Sequence, residues 1–207
     1  MTFLPSMPDD AHVPHLFARW PHIYKVYQVA STAIMRGPSP LSEAQREALG
    51  AFVSSTNSCS YCFGSHAETA RLFGVDPDLL EALIADVDTA PIDEKERPLF
   101  RYARKLSLEP SRMVQADADA IYDAGWDEDA LHSVVAVVCG FSFINRFVLG
   151  LGIDANQQNP ALLGAERHGV SYTPMVPIPA LEFAETVEEA MSLAPPNFEK
   201  MASRAKK

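Results

Sequence analysis

The sequence lacks the features that mark several large protein classes. It has only three cysteines in 207 residues, and so small and odd a number excludes a disulfide-stapled scaffold. Its most apolar stretch, Val134 to Leu151, is broken by Ser142, Asn145 and Arg146. That reads as too polar for a span of about 20 apolar residues. Met1 to Asp10 has neither a basic cluster nor the long apolar run of a secretory leader. A cytoplasmic location without a membrane partner is the expectation. Positive charge is scarce too, with 17 Lys and Arg against 27 Asp and Glu, for a net charge of −10. Such a surface repels phosphate, so no nucleic-acid partner is expected. The one basic run, Ser203 to Lys207, reads as a solvated end. No Asn-Gly or similar hairpin turn separates alternating runs, which argues against a sheet.

What remains is helical punctuation around an ordinary globular composition, 47% hydrophobic and 21% charged. Pro14 and Pro21 break the start of the chain, and a helix is predicted over His22–Arg36, ended by Gly37 and Pro38. Ser42 with Gln45 forms a capping-box pattern for a second helix carrying Leu41, Ala44, Ala48, Leu49, Phe52 and Val53 at helical spacing. Ser58 is the predicted N-cap of a third helix running to Phe73, stopped by Gly74. Asp76-Pro77 opens a fourth, to Ala85. Further helices are predicted over 94–107, 111–124 and 127–151, with Ser111 and Asp127 as caps of the last two and Gly125 and Gly152 as their stops. The last is apolar nearly all round, which implies burial in the core or in a subunit interface. A Pro-rich extended stretch, 171–179, and a short helix near 180–193 complete the reading. The expected organisation is an N-terminal extension (1–21), a helical domain (22–160) and a C-terminal segment with a tail (161–207).

The chemistry concentrates in Glu47-x11-Cys59-Ser60-Tyr61-Cys62-x3-His66. Residues three and four apart share a helix face, so Cys59, Cys62 and His66 form one stripe, which Ala70 continues. The free N–H groups of a helix's first turn favour a thiolate over a thiol. A nearby imidazole can take the proton and then stabilise the anion. Glu47, flanked by Ala44 and Ala51, lies on the preceding helix. A short reversal at 56–58 lays that helix beside the cysteines, where a carboxylate can orient His66.

Three readings of this set are open: thiol redox chemistry, a zinc site built from Cys59, Cys62, His66 and Glu47, or two buried cysteines of a helical core. A c-type haem is excluded, because Phe63 stands where the haem motif needs histidine. The 62–66 spacing favours Cys62 as the activated thiol, and the helix-terminus argument favours Cys59. Of the remaining residues, Cys139 reads as structural, Asn145 and Arg146 as packing or interhelical groups, and Trp126 as packed behind the Gly125 turn.

Leu41-Ser42-x3-Arg46-Glu47 followed by Asn57-x-Cys59-x-Tyr61-Cys62-x3-His66 resembles the AhpD-like alkylhydroperoxidase family within the carboxymuconolactone decarboxylase superfamily. Phe143-x-Asn145-Arg146-Phe147 and Leu151-Gly152 resemble its peroxidase-related branch. The resemblance covers residues 20–155. It implies an all-α, AhpD-like fold that forms homo-oligomers through apolar helices. It also implies a thiol-dependent peroxidase that reduces alkyl hydroperoxides, with Cys62 as attacking thiol, Cys59 as resolving thiol, and Glu47 and His66 as the proton relay. No metal or organic cofactor is implied; an external dithiol or thioredoxin-like protein would return the electrons. One departure stands out: Tyr61 occupies a position where the best-known members carry histidine, and a phenol of pKa about 10 is a poor base at neutral pH. A thiol–disulfide oxidoreductase with little peroxidase activity, or a non-catalytic helical oligomer, are the alternatives.

Overall fold

A computed structural model of the chain describes residues 2–153, all within one compact unit, Met1–Val176. The expected extended stretch at 171–179, the helix at 180–193 and the tail lie outside the described residues. Among the described residues the structure is all helical: α1 (Val13–Arg19), α2 (Pro21–Arg36), α3 (Glu43–Thr56), α4 (Ser60–Leu72), α5 (Pro77–Ala85), α6 (Arg97–Leu108), α7 (Gln115–Asp123) and α8 (Glu128–Gly150), with a single 3-10 turn at Pro110–Arg112.

Capping chemistry explains most of the boundaries. The Ser42 hydroxyl accepts from the Gln45 N–H at 3.2 Å, and the Gln45 side chain accepts from the Ser42 N–H at 2.8 Å. Asp76 caps α5 through the Asp78 N–H, and Asp127 caps α8 through the Ala130 N–H. Gly74, Gly125 and Gly152 have positive φ, the conformation that ends a helix at little cost to glycine.

Four expectations fail for physical reasons. Pro14 does not break the chain: it sits in the first turn of α1, where its missing N–H is no loss. Leu16 of that helix is fully buried. The helix predicted from residue 94 starts at Arg97, because Asp93 first closes a turn onto the Lys95 N–H. Ser111 caps nothing; it lies in the 3-10 turn, and α7 begins after Val114, whose N–H donates to the Asp117 carboxylate. Ser58 is not an N-cap either. With φ of +58° it is the left-handed residue of a Schellman motif closing α3: Ser58 N–H donates to Ser55 O and Cys59 N–H to Ser54 O. That motif hands the N-cap position of α4 to Cys59.

The fold is built around α3, which packs against α2, α4, α5, α6 and α8. Its residues from Arg46 through Ser54 are all buried. Arg46 is affordable there because its guanidinium donates to the carbonyls of Ile34 and Gly37 at the end of α2. Among the described residues α8 is the one helix long and apolar enough to cross a membrane, so its polar interruptions weigh less than the sequence reading assumed. Its buried residues Ala130, Val134, Val137, Val138, Phe141, Ile144, Asn145 and Val148 nevertheless form one stripe at core-helix spacing. Apolar side chains stay exposed on α2 (Ile23, Val26) and α8 (Phe143, Leu149), the kind of surface from which self-association is expected. Cys139 is exposed as well, not part of the core as expected.

Gly50 marks the tightest approach between α3 and α8. A Cβ there would lie 2.5 Å from Cε2 and 3.1 Å from Cε1 of Phe141. Gly→Ala inside a helix ordinarily gains about 1 kcal/mol. Overpacking a filled core costs about 1–3 kcal/mol. The Phe141 ring is itself buried and packed on His66, so it has little room to yield and the second effect wins. Gly50→Ala should therefore lower the thermal midpoint; a raised midpoint would show that Phe141 moves freely.

Candidate active site

The three residues Asn57–Cys59 reverse the chain between α3 and α4, and this short connection makes the two helices neighbours. Glu47 and His66, on either side of the turn, meet across the pair: His66 Nδ1 lies 2.6 Å from Glu47 Oε2. Cys59, Cys62, His66 and Glu47 are all buried, with Glu47 and Cys59 at 0% exposure and Cys62 at 5%. The edge of Phe141 from α8 meets the His66 ring at 4.5 Å between centroids and 83° between planes. All four residues singled out in the sequence are thus buried, as two pairs: Glu47 with His66, and Cys59 with Cys62. The three cysteines are free thiols. Among the described residues no group of three His, Cys, Asp or Glu side chains converges in a way that could hold a metal ion.

Two contributors went unrecognised as site residues. Arg36, at the end of α2, donates from Nη2 to Glu47 Oε1 at 2.6 Å, so each carboxylate oxygen has a charged or chargeable partner. Burial alone would raise the Glu47 pKa. The charge and hydrogen bond of His66, then those of Arg36, more than offset this and hold it below the usual carboxylate value. Asn145 from α8 is fully buried, and it bonds to another helix, one of the roles its place in an apolar helix suggested. Its Oδ1 accepts from Asn57 Nδ2 at 2.9 Å and its Nδ2 donates to Ser54 Oγ at 3.2 Å. The same amide acts on both thiols, lowering the pKa of each. The polar interruption of an apolar helix was the available signal.

The two thiols titrate as a pair. Cys59 is lowered, first by a hydrogen bond from the Cys62 thiol, against the effect of burial, and then by the N–H groups of Cys62 and Tyr61 and by Asn145. These N–H groups polarise the sulfur without closing a cap hydrogen bond. Cys62 is raised well above the usual thiol value by that same hydrogen bond, by burial, and by the charge on Cys59. Both shifts make Cys59, at the helix N-cap, the more acidic thiol of the two.

Residues 21–105 match the model of the carboxymuconolactone decarboxylase family, a span that includes Arg36, Glu47, Cys59, Cys62 and His66. Over that stretch, which is less than half of the chain, the sequence is similar to this family. Solved structures share the fold. A peroxidase-related protein from Silicibacter sp. TM1040 is 21% identical, covers 76% of this chain and 92% of its own, and has a TM-score of 0.62. An AhpD-core peroxidase-related protein from Ralstonia eutropha JMP134 is 21% identical over 72% of this chain and 78% of its own, with a TM-score of 0.65. The debrominase Bmp8, in a cysteine-to-alanine variant with 2,3,4-tribromopyrrole bound, is 16% identical over 72% of this chain and 78% of its own, with a TM-score of 0.61. At these identities the likeness is one of fold. No curated protein matches the sequence significantly. Asn145 lies beyond the stretch that the family model matches.

Proposed function

We propose that this protein belongs to the AhpD-like group and reduces hydroperoxides with the Cys59–Cys62 dithiol, using His66 and Glu47 to move protons. The observation that carries the reading is the buried, coupled thiol pair one helical turn from an imidazole anchored on a carboxylate.

Cys62 is the attacking thiol in this proposal. Cys59 has the lowered pKa, but its sulfur is fully enclosed, whereas Cys62 retains the only exposure of the two. The shared proton can move to Cys59, and the thiolate of the higher-pKa member is then the stronger nucleophile. The Cys62 thiolate attacks the terminal peroxide oxygen. An S–O bond forms, the O–O bond breaks, and the sulfur is oxidised by two electrons to a sulfenic acid. The departing alkoxide leaves as an alcohol, with a proton delivered by His66 and the imidazolium stabilised by Glu47. Cys59 then attacks the sulfenic sulfur, forming the disulfide and releasing water. An external dithiol reduces the disulfide by exchange and is itself oxidised. In this proposal Nδ1 of His66 stays on Glu47 while Nε2 carries these transfers.

The test is hydroperoxide consumption by the reduced protein with dithiothreitol as donor, together with mass spectrometry of the oxidised product. The expected result is catalytic turnover and a Cys59–Cys62 disulfide. Reduced protein left unoxidised by hydroperoxide, yet turning over a disulfide substrate or a bromopyrrole, would move the assignment to thiol exchange or to reductive dehalogenation. The last is the activity in the name of the structural neighbour Bmp8.

A further inference from the structure

We propose that Arg36 is a positioning residue for the dithiol, acting through Glu47: by holding Oε1 it fixes Oε2 on His66 and so sets the pH at which the Cys59–Cys62 pair ionises. This rests on reading the pair as a redox dithiol.

A simple counter-ion needs only to be near a buried charge. Arg36 is held in one orientation from several sides. Its Nη1 donates to its neighbour's carbonyl, Met35 O, at 2.9 Å, and its Nη2 to Glu47 Oε1 at 2.6 Å. Its Nε lies 4.0 Å from Glu43 Oε1, and its guanidinium carbon stands 5.0 Å from the centroid of the Phe73 ring. The side chain is 10% exposed. A planar guanidinium fixed in this way places one carboxylate oxygen and leaves the other a single direction, towards His66 Nδ1. Phe141 then limits the tilt of the imidazole. The effect of Arg36 passes along Arg36–Glu47–His66.

The sign follows from charge. Removing a cation raises the proton affinity of every group in its field. Without Arg36 the full charge of Glu47 faces His66, which stands one helical turn from Cys62, so thiolate is expected to form only at higher pH. The other titratable groups around the site include Glu43 and Arg46 on α3, Cys59 at the N-cap of α4, Tyr61, Cys62 and His66 on α4, and His12 ahead of α1, whose ring stacks 6.5 Å from that of Tyr61. From α8 the site meets Phe141 and Asn145, which do not titrate.

The experiment is a pH titration of ultraviolet thiolate absorbance in a Cys139→Ser background, which removes the exposed third thiol. It needs no peroxide, so a protein without peroxidase turnover would leave this test intact. Arg36→Gln keeps a hydrogen-bond donor for Oε1 and removes the charge. Its thiolate limb is expected to move up by about one pH unit, or about tenfold less thiolate at a fixed pH below the limb. Arg36→Lys, whose point charge grips Oε1 less rigidly, is expected to move the limb the same way by less. An Arg36→Gln limb that overlays the parent overturns the proposal. If Arg36→Gln does not fold, a shifted limb in Arg36→Lys supports the role. An unshifted one then reduces Arg36 to a structural counter-ion and overturns it.

Discussion

Cys62→Ser is expected to lower hydroperoxide turnover at least about a thousand-fold, equivalent to roughly 4 kcal/mol of added barrier. A serine hydroxyl in the same place is held off ionisation by burial, and it lacks the polarisable sulfur that attacks an O–O bond. Cys59→Ser should behave differently. The Cys62 sulfur can still accept one oxygen, but no second thiol is left to close the disulfide. One equivalent of peroxide is then consumed and a sulfenic acid persists on Cys62, where a sulfenate-specific reagent and mass spectrometry would find it. The contrast between the two variants, measured side by side, decides the roles. Should Cys59→Ser abolish even the first equivalent while Cys62→Ser keeps it, the lowered pKa of Cys59 has won over the exposure of Cys62 and the assignments exchange.

Glu47→Ala is the second large effect. Glu47 has no exposed surface and sits between Arg36 and His66. Truncation leaves the Arg36 guanidinium in a nearly closed site without its main partner. Removing one member of a buried ion pair typically destabilises by about 3–5 kcal/mol. The urea midpoint should fall accordingly, and turnover should fall with it because His66 loses its anchor. The effect has a pH signature. The folded-state pKa of Glu47 lies below its ordinary value, so its contribution is fully present above the unfolded carboxyl pKa and is lost as pH falls through the folded one. The stability difference between wild type and Glu47→Ala should therefore narrow in acid, below the usual carboxylate range. A difference that stays constant through that range would mean that Glu47 is already protonated in the native protein.

The parts of the site legible in the sequence were those fixed by local periodicity. Cys59, Cys62 and His66 fall on one stripe by helix geometry alone, and the short reversal after Thr56 was enough to bring Glu47 to them. Arg36 and Asn145 were not legible as parts of the site. They come from α2 and α8, and only packing brings them to α3 and α4. The same contrast runs through the fold. Ser42, Asp76 and Asp127 announce their helices because a cap is a contact over two or three residues. Ser58 misleads because serine suits either a helix start or a tight turn; the choice was made by the Schellman closure of α3. Cys139 misleads because a helix apolar nearly all round does not reveal by periodicity which side is inside.

The enclosure of α3 has a consequence for how this protein can change over generations. Glu47, the relay carboxylate of the proposed reaction, sits in the middle of a stretch buried from Arg46 through Ser54. Almost any replacement that alters its chemistry also disturbs the scaffold, so the machinery for moving protons is shielded from drift. New preferences for what is reduced would have to arise instead from segments that border the sulfurs without belonging to that central rod.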